Sequence, residues 1–289
     1  MPHRKRFRFA TASAVLSAAL LAAAPAGAAD FVERFARDPL DSAGRFIAEG
    51  ETGARFTFLP GAPPRFAGDR AGTLRVLYDT TVPTARIAAP LGVFLTPEAD
   101  FEFGAILTLR SEGFFADPNG FSQVAFGLWN GATTGLNRTG FPSDAYDLLE
   151  FDYFPNVTAF GGPFLSPTVF GGNAGDNAFN NFAFASAETP LPLDLPLLVQ
   201  ARHDAAARSL TVTVRPHAAG VFFQRAPIAA VSVDLSRLGP GFQANVAGIA
   251  GYFEGYASIR VEADYDLLYV GSLPEPFGVA VRRRLPADR

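Results

Sequence analysis

The sequence predicts an all-β protein: one antiparallel β-sandwich domain. Three observations point there. Helical period is almost absent, and runs of period two recur between Gly, Pro, Asn and Asp. The runs number about a dozen, at the spacing of sandwiches and barrels. The chain has no cysteine but 29 Phe among 289 residues, so burial and not disulfides must hold it together.

The elements follow in order. Residues 1–8 carry Arg4, Lys5, Arg6 and Arg8 with no acid, and "FATASAVLSAALLAAA" (9–24) is an apolar core. "AGA" at 26–28 then precedes Ala29-Asp30. Residues 1–29 therefore read as a secretory signal peptide with a small-residue cleavage site. The apolar run is short for a membrane span, which needs about 20 residues. An uncleaved anchor is the rival reading. The expected location of the mature chain is periplasmic or extracellular, with no transmembrane segment.

In the remaining chain the strand candidates are 54–59, 72–79, 85–89, 100–109, 121–130, 146–154, 195–203, 209–215, 221–233, 244–253 and 257–270. In "SLTVTVR" (209–215), Leu210, Val212 and Val214 point in while Thr211, Thr213 and Arg215 point out. In "ASIRVEADYDLLYV" (257–270), Ile259, Val261 and Ala263 alternate with Arg260, Glu262 and Asp264. Gly- and Asn-rich "FGGNAGDNAFNN" (170–181) and Pro-rich "ETPLPLDLP" (188–196) read as loops, too short to separate a pair of domains. The sandwich is expected over 30–272. The end, "LPEPFGVAVRRRLPADR" (273–289), leaves the β pattern. It reads as a short disordered end, and its resemblance to a shortened bacterial Pro-Glu-Pro sorting tail gives the alternative.

Charge bounds the partners. Of 24 basic residues, four lie in the leader, so 20 remain against 28 acids, a net charge near −8. That argues against nucleic acid and anionic membrane. The one lysine, Lys5, is in the leader, and the Arg, Ala, Pro and Gly bias suggests a bacterial source. Without cysteine, thiol catalysis, iron–sulfur clusters and cysteine zinc sites are excluded.

Chemistry concentrates in "LLEFDYFPN" (148–156). On a strand, Glu150, Asp152 and Phe154 share one face, and Leu149, Phe151 and Tyr153 the other. The two carboxylates sit about 7 Å apart at Cα, and their repulsion needs a cation, a proton or water. A metal site, a catalytic pair, or two ordered carboxylates paired with Arg or water are the alternatives.

This stretch resembles the metal-loop strand of legume-type (L-type) lectins, within the concanavalin A-like lectin/glucanase superfamily. "LVQARHDAAARSLTVTV" (198–214), "VAGIAGYFEGYASIRVEADYDLLYV" (246–270) and "DFVERFARDPL" (30–40) resemble that family's other segments. The resemblance implies a concanavalin A-like jelly roll that binds a glycan or polysaccharide without catalysis. It implies that Glu150, Asp152, the Phe154 carbonyl and Asn156 hold metal, and that Asn156 touches sugar. Gly161 and Ser166 stand where the family has a further Asp and a His. Calcium is thus the cofactor implied, with Asp144, Asp147 or Asp176 as added oxygens toward the about six to eight it prefers. A second, transition-metal site is short of imidazole, since only His203 and His217 follow the leader.

The superfamily also holds laminarinase-type glycoside hydrolases, which would make Glu150 a nucleophile assisted by Asp152. Phe154 and Pro155 stand where their acid/base Glu belongs. A third reading is a structural cell-surface or matrix protein without sugar binding. Trp129, the only Trp, could stack on sugar or pack in the core. Asn173, Asp176 and Asn177 read as ligand loop or turn chemistry. His203 reads as a solvated strand-end residue, "NRT" (137–139) and "NVT" (156–158) as turns, and Asp264 and Asp266 as an outward face. Open sheet edges allow an oligomer.

Overall fold

The structure, a computed structural model, describes residues 31–41, 45–61, 72–112, 120–139, 141–155, 162–217, 226–255 and 259–271. The expected leader, the tail, Asn156 and Gly161 lie outside the described residues. No described helix is long and apolar enough to cross a membrane.

The strands run β1 (Phe31–Glu33), β2 (Ile47–Gly50), β3 (Phe56–Leu59), β4 (Thr73–Asp79), β5 (Ala85–Leu95) and β6 (Phe101–Glu112). Next come β7 (Val124–Trp129), β8 (Leu148–Phe154), β9 (Phe164–Leu165), β10 (Thr168–Phe170), β11 (Phe182–Phe184) and β12 (Ala187–Glu188). The last are β13 (Leu197–Asp204), β14 (Ser209–Pro216), β15 (Ala229–Asp234), β16 (Ala244–Gly251) and β17 (Arg260–Val270). One helical turn, α1 (Thr52–Arg55), precedes β3. It takes the first residues of the strand expected at 54–59.

Two antiparallel sheets form a sandwich. One has the order β15-β14-β13-β6-β17-β4-β3, with β1 also on β17. The other has the order β11-β10-β8-β7-β16-β5-β2, with β9 on β8 and β12 on β9. Inner faces meet in one core, to which β8 contributes Leu149, Phe151 and Tyr153, β7 contributes Phe126 and Leu128, and β17 contributes Val261 and Tyr265. Each such residue alternates with one on the outer face, as the pleat demands.

The outer face of the nine-stranded sheet is itself covered. Residues 130–139 and 141–147 fold back over it, and a second apolar cluster forms beneath them from Ala88, Trp129, Ala145, Leu148, Phe170, Ala178 and Val246. Asp147 braces this loop: its carboxylate accepts from Thr133 Oγ1 at 2.9 Å and from the Gln243 N–H at 3.0 Å. Thr134 Oγ1 donates to the Tyr146 carbonyl at 2.6 Å. At the base, Gly248 of β16 has no room for a side chain, because a Cβ would come within 2.4 Å of the Trp129 ring.

Candidate functional site

Glu150 and Asp152 point together to the outer face of β8, as strand period requires. Neither faces solvent. Both are 0 % exposed, because the 130–147 loop lies over them. The loop's contribution is Arg138, buried with them. Its Nε donates to Glu150 Oε2 at 2.6 Å and its Nη2 to Asp152 Oδ2 at 2.6 Å. Two more donors complete the cluster. Tyr252, just past β16, gives its hydroxyl to Glu150 Oε1 at 2.6 Å. Gln123, just before β7, reaches Asp152 Oδ1 at 2.5 Å and Glu150 Oε2 at 3.4 Å.

The electrostatics follow from two acids sharing one cation in a dry place. Burial, then repulsion from Asp152, lifts the Glu150 carboxyl well above its ordinary range against the pull of Arg138. Burial opposes the Arg138 charge, but Asp152 and Glu150 outweigh it and hold the guanidinium above its ordinary value. Burial and the neighbouring Glu150 push the Tyr252 phenol well up, so it stays a donor. Beside them, burial raises Glu254 to about 7, with Arg138 pulling down and Asp152 pushing up. Among the described residues, Glu254 Oε1 and Gln123 Oε1 are buried without a hydrogen-bond partner.

A second buried arginine supports the arrangement. Arg55, on α1, donates to the carbonyls of Pro83 at 2.7 Å, Leu77 at 3.2 Å and Tyr252 at 2.8 Å, and also to that of Val82. Burial lowers it to about 10. Through the Tyr252 carbonyl it fixes the residue whose hydroxyl meets Glu150.

The residues present do not fit a calcium ion as they stand. All four carboxylate oxygens of Glu150 and Asp152 already accept from protein donors, and Arg138 sits where a bound cation would lie. Phe154 is placed in the ladder opposite Phe164, with its ring edge-on to Phe121 at 5.6 Å. Asp147 is spent on its loop. Asp144 lies exposed and accepts from the Asn137 N–H at 2.7 Å, and Asp176 is exposed on another loop. Ser166 gives its N–H to the Asp152 carbonyl at 2.8 Å. Among the described residues no three His, Asp or Glu side chains are grouped to hold a metal ion.

Three other expectations change. Trp129 is not at a sugar-facing rim: it is 2 % exposed and the Arg86 guanidinium lies 5.2 Å from its ring. It faces the outer side of β7, but the 130–147 loop has closed over that side. His203 is not a solvated strand end. It is buried, stacked on Phe101 at 4.7 Å, with Nδ1 2.8 Å from the Ala99 carbonyl. Burial lowers its basicity. Asp264 does face outward, yet Arg75 and Arg110, each at 2.7 Å, cover it and overcome the burial that would raise its carboxyl.

The residues that sequence reasoning missed are Arg138, Gln123, Tyr252 and Glu254. Arg138 lies inside "NRT", which the sequence places in a turn, and it is indeed on a loop. The available signal was indirect: with lysine confined to the leader, any internal cation had to be arginine.

Next to this cluster the outer face ends in exposed aromatics. Phe170 of β10 lies 5.4 Å from the Arg138 guanidinium and stacks on Phe182 of β11 at 5.7 Å. Phe182 is parallel to Phe184 within 2°, again at 5.7 Å. Phe179 meets Phe182 edge-on at 5.3 Å and stacks on Phe141 at 5.1 Å. Phe141 is 81 % exposed and Phe184 57 %. Asn173, Asp176 and Asn180 are exposed around them. Asn177 is inward: its Oδ1 accepts from the Phe179 N–H at 3.1 Å and caps the short 3-10 turn there.

No family model matches the chain, and no curated protein matches it. Solved structures do. The Lotus tetragonolobus seed lectin has a TM-score of 0.49 at 12 % identity, covering 86 % of this chain and all of that one. The winged bean acidic lectin complexed with methyl-α-D-galactose gives 0.43 at 14 %, covering 85 % of this chain and all of that one. The Emp47p carbohydrate recognition domain gives 0.41 at 9 %, covering 77 % of this chain and 99 % of that one. These are similarities of fold alone, and the sandwich of two antiparallel sheets is read from the chain's own strand pairing.

Proposed function

We propose that the protein is an exported, non-catalytic carbohydrate-binding module that contacts its glycan through the edge around β10 and β11. The observation that carries this is the run of exposed phenylalanine rings set among exposed amides. A sugar offers a C–H face and a rim of hydroxyls. Rings take the first, and the donors and acceptors of Asn173, Asn180 and Asp176 take the second. A site that is mostly apolar, with few convergent polar groups, suits a small neutral ligand. Asn156 remains a proposed contact from the resemblance.

The burial of Glu150 and Asp152 supports a binding role over hydrolysis. A nucleophile needs access to substrate, and these carboxylates have none while Arg138 and Tyr252 cover them. The reading contains no calcium. Its test is affinity for soluble and insoluble polysaccharides, with the wild-type chain beside Phe141→Ala and Phe184→Ala. Retention by a glycan that both variants weaken supports the proposal. Equal retention of all three proteins moves the binding surface elsewhere. No retention on any glycan favours a structural surface protein.

A further inference from the structure

We infer that the cleft between Glu150 and Asp152 is a cation seat that the chain fills with its own Arg138, so that the loop above it is held without a metal ion. The inference rests on the cluster's geometry and stands whether or not the protein binds sugar.

The seat is built for a cation. Two carboxylates share one face of β8, both wholly buried, with no other route to neutrality than a cation or a proton. It is also built for a planar one. The guanidinium fork meets one oxygen from each acid at 2.6 Å, and the rings of Phe170 and Tyr252 lie 5.4 and 5.8 Å from it. Guanidinium is weakly hydrated and accepts aromatic neighbours, whereas a hard divalent ion wants oxygens in their place. Gln123 and Tyr252 then occupy the two carboxylate oxygens that Arg138 leaves.

The tie has a structural consequence. Arg138 comes from the same loop as Phe141, and β8 supplies the acids, so one side chain pins the aromatic-bearing loop to the sheet. Thr139 Oγ1 adds a bond to the Phe253 carbonyl at 3.1 Å, beside Tyr252. Removing the guanidinium would leave a cavity that exposes the two carboxylate oxygens it holds, Glu150 Oε2 and Asp152 Oδ2, beside Gln123 Oε1, which has no partner among the described residues. Such a cavity is a latent site for a small cation.

The test is thermal unfolding of the full mature chain and of Arg138→Ala, each in calcium, in chelator and in millimolar guanidinium chloride. The expected result is a wild-type Tm that ignores all three additions. Arg138→Ala should melt well below it and recover some of the loss with calcium or guanidinium. A wild-type Tm that rises with calcium and falls with chelator would overturn the inference. So would a variant that neither ion rescues, since Arg138 would then be a packing residue. If Arg138→Ala does not fold, the neutral triple variant Arg138→Met, Glu150→Gln, Asp152→Asn decides. Folding restored by removing all three charges supports the cation role, and failure to fold contradicts it.

Discussion

Arg138 and Asp152 meet at 2.6 Å in a place where neither touches solvent freely, and the same guanidinium reaches Glu150 at the same distance. A buried ion pair contributes little net stability, but removing one partner strands the other. Arg138→Met strands two acids at once. It should cost about 3–5 kcal/mol in urea unfolding, the range for a broken buried pair. A loss below about 1 kcal/mol, the range of exposed pairs, would mean that water enters the cluster freely.

Tyr252→Phe removes one donor and leaves Glu150 Oε1 buried without a partner. The expected loss is about 1–3 kcal/mol. The ring stays, so the Arg138 contact with its face stays too. An unchanged unfolding midpoint would show that the hydroxyl is not needed to satisfy Glu150.

The contribution of Glu254 to the pH dependence has a definite sign. Glu254 is raised from 4.5 to about 7, so the folded chain keeps a proton that the unfolded chain has released. Its contribution is fully present below about pH 4.5 and is lost as pH rises toward about 7. Glu150 is shifted in the same direction and adds to the slope. The two acids therefore lower stability as pH rises across that window. Buried His203 and half-buried His217, whose basicity burial lowers, act in the opposite sense below about pH 6.5. Relative to the wild type, Glu254→Gln should remove the acid's share of the fall. Identical slopes in the two proteins would show that Glu254 does not contribute.

Trp129 is the only tryptophan, which makes its fluorescence a clean report on the outer-face cluster. Its emission should be blue-shifted and should not move on adding a glycan ligand. Trp129→Ala should cost about 3–5 kcal/mol, as for a large core side chain. A red-shifted emission that ligand displaces to the blue would restore Trp129 as a sugar contact.

Phe141→Ala and Phe184→Ala remove rings that are mostly in water. Stability should change by no more than about 0.5 kcal/mol. Glycan affinity should fall roughly tenfold for each, about 1.4 kcal/mol. Titration calorimetry on the glycan that binds separates the two effects.

Much of the fold was legible because period two is a local signal. Leu210, Val212 and Val214 alternate in sequence and are all buried in the core. The strands that escaped were short. β1, β10 and β11 have three residues each, too few to show a period, and the Gly-rich run between β10 and β11 masked both. The shared face of Glu150 and Asp152 was legible for the same reason, and what covers them was not. Arg138 is 12 residues before Glu150 and Tyr252 is 102 after it, and neither separation leaves a local pattern. Trp129 and His203 fail for different reasons. Each was placed correctly along its strand, but the loop over the outer face that buries Trp129 was not visible in the sequence, and His203, in phase with Val199 and Ala201, packs on the core rings of Phe101 and Phe242.

The most direct test of the central claim is a glycan array probed with the chain from Asp30 onward, first with calcium and then with chelator. The same glycans should be bound at the same strength in both buffers, with signal reduced in Phe184→Ala. Binding that disappears in chelator, or an array that stays blank in both buffers, would contradict the claim.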